Sequence, residues 1–292
     1  MCKFPAIDQT LMRGVRKTVD DSFKSFVRAY GNVIDALTNP LQHFLNGLES
    51  LFVNTPWFII LAVMVLIVYL ASRNIRIVAV TVIGMLFIGF VGLWEDTMIT
   101  LAIVTVATML AIVIGIPIGI LMARSDRAQS VVNPILDVMQ TMPSFVYLIP
   151  VVMIFGIGKV PGVIAVVIYA VPPMIRLTNL GIRLVDREVL EAADAFGSSP
   201  GQKLMNVQIP LALPTVMAGI NQTIMMSLAM VVVASMIGVG GLGKNVLQAI
   251  SNQFLTIGFL NGFALVAIAI IFDRASQAYG KRLQRHTEVV HG

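Results

Sequence analysis

An all-α polytopic membrane protein with about seven spans is the fold class this sequence predicts, and three observations predict it. Of 292 residues, 57% are hydrophobic and 12% charged, against ~25% charged in a soluble domain. Mean hydropathy is +0.88. Apolar runs approaching the ~20 residues of a bilayer crossing recur along the chain, and basic residues fall almost wholly into alternate connections. A soluble fold would be left with almost no polar surface. The net charge of +5 therefore reads as an orientation bias and not as a nucleic-acid footprint. The single cysteine, Cys2, excludes an internal disulfide and any CxxC site, and reads as an incidental thiol.

In order, residues 1–56 form an N-terminal tail in which Arg13, Arg16, Lys17, Lys24 and Arg28 are balanced by Asp8, Asp20, Asp21 and Asp35. No apolar region closely follows the basic residues, so the tail is not a cleaved signal peptide. Leu41, Phe44, Leu45, Leu48, Leu51 and Phe52 share one helical face, which predicts an interfacial amphipathic helix over 41–53. Spans follow at about 57–72, 77–94, 97–123, 131–157, 160–177, 215–239 and 254–272 within a membrane domain over 57–275. The first two either both cross or pair as a hairpin that does not fully cross. Gly115 and Gly119 around Pro117 predict a close helix contact at a kink. Pro172-Pro173 either frees carbonyls along a cavity or simply kinks the fifth span. A polar C-terminal tail occupies 276–292.

Twelve basic residues lie on one side: Arg73, Arg76, Arg124, Arg127, Arg176, Arg183, Arg187, Lys203, Arg274, Lys281, Arg282 and Arg285. Only Lys159 and Lys244 lie on the other. The first side is predicted to be cytoplasmic. The loop 178–214 and the C-terminus are then inside and the N-terminus outside, despite six basic residues in the tail.

That loop is the long polar interruption. Asp186 can cap a helix opened by Arg187 and Glu188, with Val185, Val189, Ala192, Ala193 and Phe196 as one apolar stripe. Gly197 stands where a left-handed C-terminal cap is wanted. Ser199, Pro200 and Gln202 make a capping box with proline at the first helical position, and the second helix is predicted to stop at Pro210. Either this hairpin docks a soluble partner, or it lies on the lipid surface.

Polar residues inside spans are costly unless they meet a partner or water. Asp137, Gln140 and Tyr147 in the fourth span, and Asn221 and Gln222 in the sixth, either line a translocation path or form interhelical hydrogen bonds. For Asp137 the second reading is a pairing with Arg124 or Arg127. Phe145, Tyr147 and Tyr169 could face a cationic solute. Met217, Met225, Met226, Met230 and Met236 of the sixth span read as core filling, with a sliding interface that repacks between two states as the alternative. Gly238 to Gly243 matches G-x-G-x-x-G, but it follows a membrane helix and meets no acidic residue before Asp273, so a dinucleotide site is not expected. His43, His286 and His291 lack ligand spacing, and neither metal nor cofactor is expected. Without a phosphate loop, nucleophile elbow or paired carboxylates, the chain is not an enzyme by this reading. The energy for any transport must come from another polypeptide.

Glu191-Ala192-Ala193, Gly197 and Val207-Gln208-Ile209-Pro210 together resemble the EAA loop of ATP-binding-cassette importer permeases, with Val207 and Ile209 replacing the family's Ile-x-Leu before the proline. Residues 139–163, 220–243 and 92–102 resemble the glycine betaine/proline betaine branch, and the likeness covers roughly residues 40–275. It implies a type I importer core in the last five spans. It also implies two permease copies, expected to be a homodimer, cytoplasmic ATPase subunits that each accept one loop, and an external solute-binding protein, in a bacterial plasma membrane with lipid around the spans. Glu191, Ala192, Ala193, Gly197 and Pro210 are the expected coupling residues. Glycine betaine, proline betaine and choline are the expected cargo, with an amino acid such as proline or histidine as the alternative. An ion-driven secondary transporter or a channel would leave the EAA loop unexplained.

Overall fold

The computed structural model describes residues 8–289, and the described residues hold twelve α-helices and no strand. The chain divides into two compact units, Met1–Phe44 and Leu45–Gly292, with the division inside α1 (Gln9–Asn54). Cys2, His291 and the side chain of His286 lie outside what is described.

The helix expected over 41–53 is thus the end of a much longer one. Asp8 opens α1 by accepting the Thr10 N–H at 3.2 Å and its hydroxyl at 2.7 Å, and these donors hold the Asp8 carboxyl below its usual value. Leu11, Val15, Val19 and Val33 stay exposed.

In the larger unit, α2 (Trp57–Ser72) and α3 (Ile75–Phe90) form a hairpin that packs on α12 (Leu255–Val289). The Asn74 side chain caps α3 by accepting the Arg76 N–H at 2.9 Å. The centre is α7 (Lys159–Arg183), packed between α4 (Trp94–Arg124) and α10 (Ile209–Ala234). The apolar window of α7 is 72% buried, whereas that of α12 is 22% buried, which marks α12 as a peripheral helix. Glycine permits the central crossings. A Cβ on Gly115 would stand 2.7 Å from Met174 Cγ, and one on Gly119 would stand 2.6 Å from Thr178 Cβ and 2.8 Å from the Ile175 carbonyl oxygen. Backbones that close maximise dispersion contact between helices, which replaces the hydrophobic drive that lipid removes. Pro117, Pro172 and Pro173 all lie within continuous helices.

Among the described residues four helices are long and apolar enough to cross a membrane, or up to six if each bent pair is one span, and α3 is a shorter apolar helix. The expected fourth span is one of the bent pairs. After α5 (Asp126–Thr141) the chain turns 111° through Met142-Pro143 and a 3₁₀ turn (Ser144–Tyr147) into the short α6 (Leu148–Phe155). Pro143 explains the break: it forces Met142 into extended geometry, ψ 131°. Residues 240–253, expected as a connection, contain α11 (Leu242–Asn252). Its entry needs glycine, because Gly241 has φ +85° and a Cβ there would meet Thr100 Oγ1 at 2.5 Å. The G-x-G-x-x-G match is thus a tight backbone packing device. The C-terminal helix α12 runs on past residue 276 to Val289.

Candidate functional site

The polar interruption folds as a capped hairpin. Asp186 Oδ1 accepts the Glu188 N–H at 3.0 Å and starts α8 (Arg187–Ala195). At its end Gly197, φ +76°, donates its N–H to Asp194 O at 2.9 Å while Ser198 N–H reaches Ala193 O at 3.0 Å. This pair of bonds is the Schellman motif, and a left-handed residue is what it requires. Ser199 and Gln202 then exchange capping-box bonds at 3.4 and 2.9 Å, with Pro200 opening α9 (Pro200–Lys203). Lys203 Nζ reaches back to both carboxylate oxygens of Asp194, at 2.7 and 2.8 Å.

The second helix does not stop at Pro210. It widens into a π-turn over Leu204–Gln208 and continues as α10, so that 200–237 is one helical span. Ile209 N–H donates to Leu204 O, five residues back. A widened turn moves the preceding carbonyls away from the proline ring, and Pro210 then sits in the first turn of α10, where a missing N–H costs least. Leu204, Ile209, Ala212 and Val216 consequently share one core cluster with Met174 and Ile182 of α7.

The expected apolar stripe is split between two faces. Val185 and Ala193 are buried and Val189 is half-buried. Glu191 and Ala192 are exposed, and Phe196, at the C-cap where the chain leaves helical geometry, is 91% exposed. Leu184 and Met205 are exposed as well. A hairpin that keeps a bare phenylalanine and two more large apolar side chains on a rigid frame has the chemistry of a docking surface.

The other predicted residues fall into separate places. Asp137 and Gln140 are exposed on α5. Asp137 does not pair with Arg124 or Arg127; its Oδ1 lies 2.5 Å from Arg176 Nη2 on α7. Tyr147 lies beyond the bend, is buried, donates its hydroxyl to the Met139 carbonyl oxygen, and meets Tyr169 edge to face at 6.0 Å. The bend removes it from the face of Asp137 and Gln140. Asn221 donates to Asp273 Oδ1 at 3.0 Å and accepts from Ser276 at 2.5 Å, bonding α10 to α12. Gln222 lines a cavity of about 400 Å³ beside Asn221, with Gln277 and Lys281 across it.

Sequence reasoning missed three polar constellations. Arg183 donates to Asp126 Oδ1 at 2.7 Å, the Met122 carbonyl oxygen at 2.8 Å and Asn179 Oδ1 at 3.1 Å. At the opposite end of the bundle Asn245 donates to Asp96 at 2.6 Å and Asn261 at 3.1 Å, joining α11 to α4 and α12. There, too, Lys159 Nζ holds both oxygens of Glu49, at 2.7 and 2.8 Å. Asn261 within an apolar helix was the available signal for the second of these.

Comparison with known proteins agrees with this architecture. Residues 115–285 match the family model described as binding-protein-dependent transport system inner membrane component. The chain is 47% identical over 249 residues, 85% of it and 70% of the relative, to the glycine betaine/proline betaine transport system permease protein ProW of Escherichia coli K12. It is 46% identical to the glycine betaine/carnitine transport permease protein GbuB of Listeria monocytogenes, covering 92% and 94% of the two chains. Identity to the glycine betaine transport system permease protein OpuAB of Bacillus subtilis is 42%, covering 85% and 88%. A chain of the MetNI methionine ABC transporter in inward-facing conformations superposes with a TM-score of 0.59 at 22% identity, covering 63% of this chain and 93% of that one; the likeness there is one of fold. The chain therefore belongs to the family of inner membrane components of binding-protein-dependent transport systems, as one of its permease subunits.

Proposed function

We infer that this permease carries a small quaternary-ammonium osmolyte of the glycine betaine, proline betaine or choline kind, and is driven by ATP hydrolysed on separate cytoplasmic subunits. The observation that carries the coupling half is the hairpin, capped at three points and exposing Leu184, Phe196 and Met205. The cargo half is supported by the three relatives above, permeases for glycine betaine, alone or with proline betaine or carnitine, that are 42% to 47% identical to this chain. The positive-inside bias places 178–214 and the C-terminus in the cytoplasm and the N-terminus outside. Two copies form the pathway, a solute-binding protein delivers cargo at the outer face, and lipid surrounds the peripheral helices.

In this mechanism the ATPase seats against Glu191, Ala192 and Phe196. Buried Val185 and Ala193 fix the hairpin to the bundle, and Gly197 sets the angle between its arms. Nucleotide-driven closure of the ATPases draws two hairpins together, and the continuous helix from Pro200 passes that motion to α10. Asp137, Gln140, Asn221 and Gln222 are the path candidates. Tyr147 serves to brace the bend.

The test is reconstitution of the chain with its ATPase and binding protein in proteoliposomes. ATP-dependent uptake of radiolabelled glycine betaine is expected, and it is lost in Ala193→Asp with membrane insertion intact. Uptake that persists without the ATPase would overturn the reading.

A further inference from the structure

The helix α5 has three faces when its residues are set at 100° intervals. Leu136 is buried, and Val132 and Met139 pack beside it against Met122, Val171 and Ile175. Val131, Ile135 and Val138 are exposed and apolar. The remaining face carries Asp126, Gln129, Asn133, Asp137 and Gln140 within about 80° of arc. Such a stripe is costly against hydrocarbon, where its charged and amide side chains would have neither water nor a partner. It faces water or polar matter.

Two arginines of α7 reach this face, and they differ. Arg183 is tied to three partners through Nε and Nη2: Asn179, the Met122 carbonyl oxygen and Asp126. Arg176, about 10 Å further along the helix, makes one contact, to Asp137 Oδ1. Its Nε is buried and has no hydrogen-bond partner among the described residues. The Asp137 side chain is 65% exposed. Arg183 is fixed by two groups besides the Asp126 carboxylate, whereas Arg176 is held by Asp137 alone and keeps a buried, unused donor beside an open polar face.

We propose that Asp137 and Arg176 form a transient solute subsite on the path, specific for a small zwitterion. This deepens the transport reading above and rests on it. The quaternary ammonium lies on the Asp137 carboxylate, and the solute carboxylate takes the Arg176 guanidinium. The solute exchanges one ion pair within the protein for two ion pairs to itself, so no charge is left unpaired on arrival or departure. Binding is therefore weak and fast, as a conducting path requires. A cation without a carboxylate, such as choline, would leave Arg176 unpaired and gain less.

The test uses the assembled transporter in membranes, with Cys2→Ser as the cysteine-free background and thiol reagents of opposite charge, trimethylammonioethyl and sulfonatoethyl methanethiosulfonate. Gln140→Cys is expected to react about tenfold faster than Val138→Cys, and glycine betaine slows it. Arg176→Gln raises the cationic-to-anionic rate ratio at that cysteine and Asp137→Asn lowers it, each by about threefold or more. Equal, slow labelling at 138 and 140 would show the stripe covered by the second copy and overturn the proposal. So would rate ratios that neither variant moves. ATP-driven glycine betaine uptake is lost in Arg176→Gln and stays lost in the double variant D137R/R176D, whereas a purely structural pair would be rescued by the swap. The reagent arms do not depend on the transported cargo. A wild-type transporter that fails to take up glycine betaine would therefore refute the function, and unmoved reagent ratios would refute the subsite.

Discussion

Lys203 and Asp194, nine residues apart, close the two arms of the hairpin with Nζ 2.7 and 2.8 Å from the carboxylate oxygens. The bond crosses the turn at Gly197, so it ties the two arms together without using the exposed side chains of Leu184, Phe196 and Met205. Asp194 is half exposed, which limits the pair to about 1 kcal/mol or less. Lys203→Ala should therefore leave folding intact while loosening the hairpin. Faster amide exchange over α8 is the expected outcome, reversed by the swap D194K/K203D.

Gly197 is a matter of backbone angle alone, since a Cβ there meets nothing within 4 Å. Gly197→Ala should cost about 1–2 kcal/mol locally through the left-handed conformation, and Gly197→Asn less, because asparagine visits that region more readily. The ratio of solute moved to ATP hydrolysed should fall in the order Gly, Asn, Ala. An alanine variant coupled as well as wild type would contradict the geometry.

Phe196 is 91% exposed in the isolated chain, so its removal cannot weaken this fold. Phe196→Ala should weaken association with the ATPase by about 2 kcal/mol, or roughly thirtyfold, if it is the anchor of the patch. Thermal unfolding of the permease alone should be unchanged, and titration of detergent-solubilised permease with the purified ATPase reads the loss.

Gly119 opposes Thr178 and the Ile175 carbonyl too closely for any side chain. Because backbone stands on the far side, the contact cannot relax by a rotamer change alone. Gly119→Val should cost about 1–3 kcal/mol by overpacking and lower the unfolding temperature in detergent. Gly262→Ala, where nothing lies within 4 Å, is the control at an open helical site and should be neutral or stabilise by up to about 1 kcal/mol.

The hairpin was legible because its signals are local. Asp186, Gly197, Ser199, Pro200 and Gln202 each act on backbone groups within a few residues, and all five behave as their chemistry dictates. Helical periodicity failed at Leu204–Gln208, where one π-turn puts Leu204 and Ile209 on the same face at a spacing of five. Composition found the apolar segments but not the 111° bend before α6, since an apolar run reads alike whether straight or broken. The partners of Asp137 and Asn221 lie 39 and 52 residues away. Which basic or acidic group they meet is decided by how α5 packs on α7 and α10 on α12, and no linear pattern records that.

The helix α7 is pinned at both ends. Lys159 at its start grips Glu49, Gly158 just before it donates to the Ile237 carbonyl oxygen at 2.9 Å, and Arg183 at its finish is tied to Asp126 and Met122. Between them it is seated against Gly115 and Gly119, with Met174, Val171 and Thr178 filling the space that side chains there would need. A rod held at its ends and pressed home at its middle has no direction in which it can shift alone. Any rearrangement of the bundle must therefore carry it as one piece with the neighbours that grip it.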